Sequence, residues 1–205
     1  MIRYLKGADG MANNMDSLKI KFIPNGEMTQ RQKNDVDIIN KTCLSGDPDD
    51  PVRVEINMYD WSASDEGMFL LLDGERVVGR IAVQKAFTEY DGQEYVLGGF
   101  GGLAILPEYR GGGYARIMAE LALDKAREVG VDVACMCVDM ESGITNFYQS
   151  LGFTFLGRPA YFINWIDKEK TDNNVMIMGL NNKPLTEKIL NTNHKFHYGE
   201  DRGHW

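Results

Sequence analysis

Apolar and polar residues alternate from Leu18 to Ile23 (LKIKFI), the two-residue period of a half-buried strand. Over residues 28–43 the spacing turns helical, with Val36, Ile38, Ile39 and Cys43 able to share one face. LSGDPDDP at 44–51 is an acidic run of turn residues, and residues 44–66 show little period of either kind around Tyr59-Asp60-Trp61. Irregular segments this long in a compact domain tend to carry function rather than act as spacers. A hairpin follows. MFLLL (68–72) predicts one strand, Asp73-Gly74 the turn, and RVVGRIAVQKAF (76–87) the returning strand. A second turn at Asp91-Gly92 leads into YVLGGFGGLAIL (95–106), which completes an antiparallel meander.

Beyond Leu106 the pattern changes. Pro107–Gly113 is a glycine-rich loop, and Tyr114–Val129 is a helix with Ile117, Met118, Leu121, Ala122 and Ala126 on one side. Gly130 stands where a helix C′ glycine belongs. VDVACMCV (131–138) predicts a buried strand, and Ser142 an N-cap for a short helix over 143–151 that Gly152 ends. FTFLG (153–157), AYFINWI (160–166) and VMIMGL (175–180) supply further strand material, and no internal repeat is present.

The 205 residues, 43% apolar and 25% charged, have the composition of a globular domain. A chain of this size buries roughly 70% of its unfolded surface and needs no disulfide or metal staple. The balance of 22 Lys and Arg against 30 Asp and Glu gives a net charge of −8. That charge disfavours nucleic-acid phosphates and anionic membrane surfaces, and it attracts cations while also serving solubility. Of the three cysteines, Cys135 and Cys137 fall on one face of a predicted strand. Their C-x-C spacing lacks the second ligand pair of a zinc site, so buried free thiols and no metal are expected. The first fifteen residues have no apolar signal core, and no stretch approaches the ~20 apolar residues of a membrane span. A cytoplasmic protein with a flexible segment at 1–17 is expected, Met11 and Met15 being alternative starts.

The strongest chemical signal is Pro107-Glu108-Tyr109-Arg110-Gly111-Gly112-Gly113-Tyr114-Ala115 between a strand and a helix. Three glycines let the backbone fold back so that several N–H groups point at one anion, and the following helix adds its free first-turn amides and positive dipole end. Arg110 can add a charge-assisted bond. The loop is not a Walker loop, because Gly-Tyr-Ala stands where Gly-Lys-Ser/Thr is required. Nor does it follow a first parallel strand, as a dinucleotide fingerprint would.

Arg110-x-x-Gly113-x-Ala115 resembles the acyl-CoA pyrophosphate loop of the GCN5-related N-acetyltransferases, and GGLAILPEYRG resembles that family's central strand. Asn146-Phe147-Tyr148-Gln149-Ser150-Leu151-Gly152-Phe153 is similar to its second motif, in the expected order. The match covers about residues 68–157. It implies one acetyltransferase domain over 1–205, of mixed α/β fold. The expected sheet is mostly antiparallel, with six or seven strands splayed at the centre, and about four helices flank it. It also implies acetyl-CoA as co-substrate, held by Leu103, Ala104, Ile105, the Arg110–Ala115 loop (Arg110, Gly111, Gly112, Gly113, Tyr114, Ala115), Asn146 and Tyr148. The main chain of Leu103 and Ile105 would pair with the pantetheine amides, and an N–H near Ala104 would polarise the thioester carbonyl. Tyr148 would be the general acid for the leaving thiolate; a phenol of pKa near 10 is a poor acid in water, so this role rests on position. A core tyrosine and a helix-packing Asn146 are the bland alternatives.

A narrower likeness is to the aminoglycoside 2′-N-acetyltransferase branch, carried by Asp60-Trp61, Gly67-Met68 and an extended tail ending in Trp205. It implies that residues 171–205 extend on the substrate side, with Asp60, Trp61, Asp172, Glu200, Asp201 and the Trp205 carboxylate holding a protonated amino sugar. Two departures bear on it. Gly101 stands where that branch places a glutamate base, and Gly203 where it places an aspartate. Glu55, Asp60, Glu94 or a water would have to act as base. The acceptor stays open among an aminoglycoside and another amine, with a non-catalytic acyl-CoA sensor as the rival. Direct attack without an acyl-enzyme is expected, because no Ser-His or Cys-His pair stands in the motif region. His194, His197 and His204 read as polar-tail residues rather than metal ligands. Tyr161, Phe162 and Trp165 read as core or homodimer packing. The Gly98-Gly99 and Gly101-Gly102 pairs are either packing accommodations or places where a ligand comes close.

Overall fold

The computed structural model describes residues 3–4, 18–44, 66–138, 140, 143–163 and 169–197. The chain divides into two compact units. One comprises the chain up to Val83 together with Gly102–Ala122, and the other Gln84–Gly101 with the chain from Leu123 onward.

In the first unit, β1 (Arg3–Tyr4), β2 (Leu18–Pro24), β3 (Gly67–Asp73) and the start of β4 (Arg76–Tyr90) pair antiparallel in that order. The predicted alternation holds in β2 from Leu18 to Lys21, with Leu18 and Ile20 buried and Lys19 and Lys21 facing outward; it ends at Ile23, which is buried although it falls on the face of the two lysines. The β3–β4 hairpin turns at Gly74-Glu75, one residue later than predicted, and its register shifts between Leu71 and Leu72. Helix α1 (Gln30–Cys43) begins with a capping box: the Thr29 hydroxyl accepts from the Gln32 amide, and the Gln32 side chain accepts from the Thr29 amide. Val36 and Ile39 bury its apolar face. Ile38, expected on that face, is 54% exposed, because two residues along a helix is more than half a turn.

The second unit holds the rest of β4, most of β5 (Gln93–Ile105), β6 (Val133–Cys137), β10 (Val175–Gly179) and β7 (Thr154–Phe155), in the order β4-β5-β6-β10-β7. A separate sheet has the order β11-β8-β9, from Phe196–His197, Ala160–Ile163 and Glu169–Asp172. The parallel register of β5 with β6 consists of two pairs, Leu97 with Val133 and Gly98 with Ala134. That two-pair ladder between strands of thirteen and five residues is the expected central splay. Tyr90, Leu97, Val133, Ile177, Ile189 and Phe196 belong to one buried cluster. Among the described residues the larger sheet has eight strands, the two-residue β1 included, where six or seven are expected.

Four α-helices are present among the described residues: α1, α2 (Tyr114–Glu128), α3 (Thr145–Leu151) and α4 (Lys183–Asn191). In α2 the fully buried residues are Met118, Ala119, Ala122, Leu123 and Ala126, while Ile117 and Leu121 are half-buried, so the stripe is turned slightly from the one expected. Helix α3 starts after Ile144, which makes no side-chain cap bond, and Ser142, expected as its cap, lies outside the described residues; Gly152 closes α3 in the left-handed conformation as expected. Helix α4 has no counterpart in the sequence reading. Its Asn182 side chain accepts from the Leu185 amide at 3.1 Å, with Pro184 in the first turn. Among the described residues no helix is long and apolar enough to cross a membrane.

Candidate active site

In the first unit, Leu106–Tyr109 lifts the chain off β5. Pro107–Tyr109 forms a 3₁₀ turn, with the Tyr109 amide bonded to Leu106 O at 2.9 Å and the Arg110 amide to Pro107 O at 3.2 Å. The Tyr109 hydroxyl donates to Asp73 Oδ2 at 2.9 Å, which anchors the turn on the β3–β4 hairpin and raises the phenol's pKa. Gly111 and Gly113 then take φ of +87° and +75°. Nothing lies within 4 Å of a Cβ at either, so the left-handed backbone, not crowding, requires glycine there. The first turn of α2 follows, with the Arg116 and Ile117 amides both donating to Gly113 O.

The amides of Gly111, Gly112, Gly113 and Ala115 have no acceptor among the described residues. They sit at the positive end of a fifteen-residue helix, with open space around Gly111 and Gly113, so the donor set fits a diphosphate. Tyr114 is buried at the head of α2, and its ring packs inward. Arg110 has a different first task from the one expected. Its Nε donates to Ile105 O at 2.8 Å and its Nη2 approaches Cys43 Sγ at 3.6 Å, tying the loop to the end of β5.

Alternation along β5 sorts the three central residues. The Leu106 amide donates to Val78 O at 2.9 Å, and Ala104 O lies 3.1 Å from a Cβ position on Gly79. Period two therefore turns the main-chain groups of Ala104 toward β4 and those of Leu103 and Ile105 to the opposite edge. Leu103 and Ile105 thus present their main-chain groups on the edge away from β4. The Ala104 amide does not lie there, and donors for a substrate carbonyl have to come from its neighbours. Part of that edge is used internally, since Ile105 O also receives Cys43 Sγ at 3.5 Å.

In the second unit, Tyr148 is half-buried on α3 among Phe100, Phe147 and Phe153, with ring centroids 6.1, 5.2 and 6.3 Å away. Burial raises its pKa, which keeps the phenol protonated and able to donate. Gly152 and the Phe153 amide, which donates to Tyr148 O at 3.2 Å, fold the chain so that Phe153 closes this nest. Asn146 is exposed in the first turn of α3, and its side chain makes no hydrogen bond among the described residues.

Asp172 sits at the end of β9 and accepts from the Asn174 amide at 2.7 Å, an Asx turn into β10. Glu94 is exposed and seven residues before Gly101 on the same strand, about 23 Å at ~3.3 Å per residue, too far to replace an acid there. Gly98 is a packing accommodation: a Cβ would meet Gln84 O at 2.5 Å and Val131 Cγ2 at 2.7 Å. All three cysteines are free, but only Cys135 is fully buried, Cys43 and Cys137 being partly accessible. His194 pairs with Asp91 and His197 lies near Glu169. Tyr161 stacks on His197 and faces Lys195 Nζ at 4.4 Å. Glu55, Asp60, Trp61, Trp165, Glu200, Asp201, Gly203, His204 and Trp205 lie outside the described residues. One residue escaped the sequence reading: Arg80, a charge in the apolar run VVGRIAV, is fully buried with its Nε donating to Asn40 Oδ1 at 3.0 Å.

The model of the acetyltransferase (GNAT) family matches residues 35–153, more than half of the chain. Among solved structures, a GNAT family N-acetyltransferase (YhbS) from Escherichia coli in complex with CoA is similar at TM-score 0.59 and 16% identity, over 92% of each chain. PH1933 from Pyrococcus horikoshii OT3 is similar at TM-score 0.57 and 20% identity, over 78% of this chain and 98% of that one. A GCN5-related N-acetyltransferase from Kribbella flavida is similar at TM-score 0.54 and 20% identity, over 73% of this chain but only 36% of that longer one. At these identities the likeness is one of fold. No curated protein matches the sequence. The family match, with both sequence motifs inside its span, means that the chain belongs to the acetyltransferase (GNAT) family.

Proposed function

We propose that the protein transfers an acetyl group from acetyl-CoA to a primary amine, by direct attack of the amine on the thioester. The observation that carries this reading is the set of four acceptor-free amides at Gly111, Gly112, Gly113 and Ala115, at the head of α2. Acetyl-CoA supplies the activated carbonyl. The loop amides hold its diphosphate, and the Leu103 and Ile105 main-chain groups pair with the amides of its arm. Tyr148, kept protonated by burial, donates a hydrogen bond to the departing sulfur. Full proton transfer from a phenol above pKa 10 to a thiolate of ordinary basicity near 8.5 is uphill, so the bond stabilises developing charge rather than driving departure. The net charge of −8 favours a cationic acceptor. With Gly101 in place of an acid, the ammonium loses its proton to water.

Within this reading an amino sugar is the acceptor to try first, on the sequence likeness around Asp60-Trp61 and the tail to Trp205. The test is a panel of amines with acetyl-CoA, following free thiol: kanamycin-type and gentamicin-type amino sugars, a polyamine and a peptide N-terminus. Release that depends on both protein and amine is the expected result. Inert amino sugars beside a reactive polyamine or peptide overturn the narrower acceptor. Tight CoA binding with no release from any amine overturns catalysis and leaves the acyl-CoA sensor.

A further inference from the structure

We infer that Arg80 is a positioning residue for the acyl end of the donor: its guanidinium holds β5 in a left-handed turn at Gly102, and that turn aims the main-chain groups of Leu103 and Ile105. The inference deepens the acetyl-CoA reading and rests on it.

Arg80 lies in the middle of β4 and is fully buried. Asn40, in the last turns of α1, accepts from its Nε at 3.0 Å and fixes the plane of the guanidinium. That plane lies against Gly102. A Cβ on Gly102 would fall 2.5 Å from Cζ and Nη1 of Arg80 and closer still to Nη2. Gly102 also has φ of +59°, a conformation that L side chains avoid. Two separate facts therefore demand glycine at this position, and both concern the residue immediately before Leu103. The strand leaves regular geometry at Gly102, then resumes the alternation that presents Leu103 and Ile105 along one edge.

A buried guanidinium is a costly way to fill space, since an apolar side chain of similar volume is generally easier to bury. Burial brings its pKa down to about 10, so it remains charged at neutral pH. What Arg offers and an apolar residue does not is a flat, rigid group with donors on its rim. Such a group can lie against a Cα without a side chain while its edge is anchored by Asn40. Lysine has the charge without the plane and would not serve.

The inference separates two parts of one ligand. The loop amides would grip the diphosphate whether or not β5 is correctly bent, whereas the arm needs the β5 edge. Calorimetry with two probes reads this split: CoA, which has the arm, and adenosine 3′-phosphate 5′-diphosphate (3′-phospho-ADP), which keeps the diphosphate and lacks the arm. Wild type, Arg80→Met, Gly102→Ala and Asn40→Ala are compared, with thermal melts as the check on folding. Arg80→Met and Gly102→Ala should bind 3′-phospho-ADP within about twofold of wild type and CoA about tenfold more weakly, the worth of one or two main-chain hydrogen bonds. Asn40→Ala should change CoA binding in the same direction by less, and Arg80→Lys should not restore it. If Arg80→Met fails to fold, Gly102→Ala, which pushes the guanidinium away, decides the matter. Equal weakening of both probes makes Arg80 merely structural and overturns the inference, as does unchanged CoA binding in either variant. Wild type that binds neither probe overturns the acetyl-CoA reading itself, and the inference with it.

Discussion

The loop at Gly111–Ala115 and the nest around Tyr148 offer opposite kinds of chemistry. The first is made of main chain: open, charged by a helix dipole, and shaped by two left-handed glycines. The second is made of side chains: a phenol walled by Phe100, Phe147 and Phe153 and held protonated by burial. A site of amides is set by backbone conformation and tolerates changes in the side chains around it. A site of one phenol is set by packing and vanishes with one oxygen. Binding and turnover should therefore respond to different substitutions.

The largest effect expected is on turnover. Tyr148→Phe should lower kcat by roughly 10²-fold while CoA affinity stays within about twofold, as for loss of one donor aimed at developing charge. Steady-state kinetics beside calorimetry measures both, and a parallel loss of affinity would erase the contrast. On the other side, Gly113→Val forces a branched residue into φ of +75°, a cost of about 1–2 kcal/mol, and should weaken CoA about tenfold by turning its amides away. A Gly113→Val protein that binds CoA normally would mean that the amides are not the grip.

A third test uses the buried titratable groups of the second unit. Below pH 9.0, the ordinary value for a thiol, Cys135 is protonated folded and unfolded, so stability is flat. Above it the unfolded thiol ionises while burial keeps the folded one protonated, and from 10.0 Tyr95 and Tyr148 behave alike. The unfolded state then binds fewer protons, so stability falls by up to about 1.4 kcal/mol per pH unit for each group. Arg80, lowered to about 10 when folded, has the opposite sign and offsets one proton above that pH. Urea denaturation between pH 7 and 10.5 should show a plateau, then a decline from about pH 9. The smallest effect concerns Tyr95, whose hydroxyl is buried with no partner among the described residues. Tyr95→Phe should leave stability unchanged or raise it by about 1 kcal/mol in the same assay, because no hydrogen bond is lost.

What could be read in advance follows the same division. The loop was legible because its requirements are local: glycine for left-handed backbone, then a helix start. The meander was legible from apolar, β-branched runs bounded by Asp-Gly pairs. Arg80 was not, because β4 is buried on both faces from Val77 to Gln84 and alternation says nothing there. Helix α4 escaped although Asn182-Lys183-Pro184 is a start signal and Leu185 and Ile189 are one turn apart. A nine-residue helix carries too few turns for periodicity to stand out in a polar tail. The facing of Ala104 toward β4 is a matter of strand register, which only pairing reveals.

The central claim is that main-chain amides from Gly111 to Ala115 grip the diphosphate of an acyl-CoA. Titration calorimetry of acetyl-CoA into the folded protein tests it most directly, repeated with excess 3′-phospho-ADP, which carries the same diphosphate without the arm. Saturable heat with one ligand per chain, suppressed by the competitor, is the expected result. No heat, or heat that 3′-phospho-ADP leaves untouched, would contradict it.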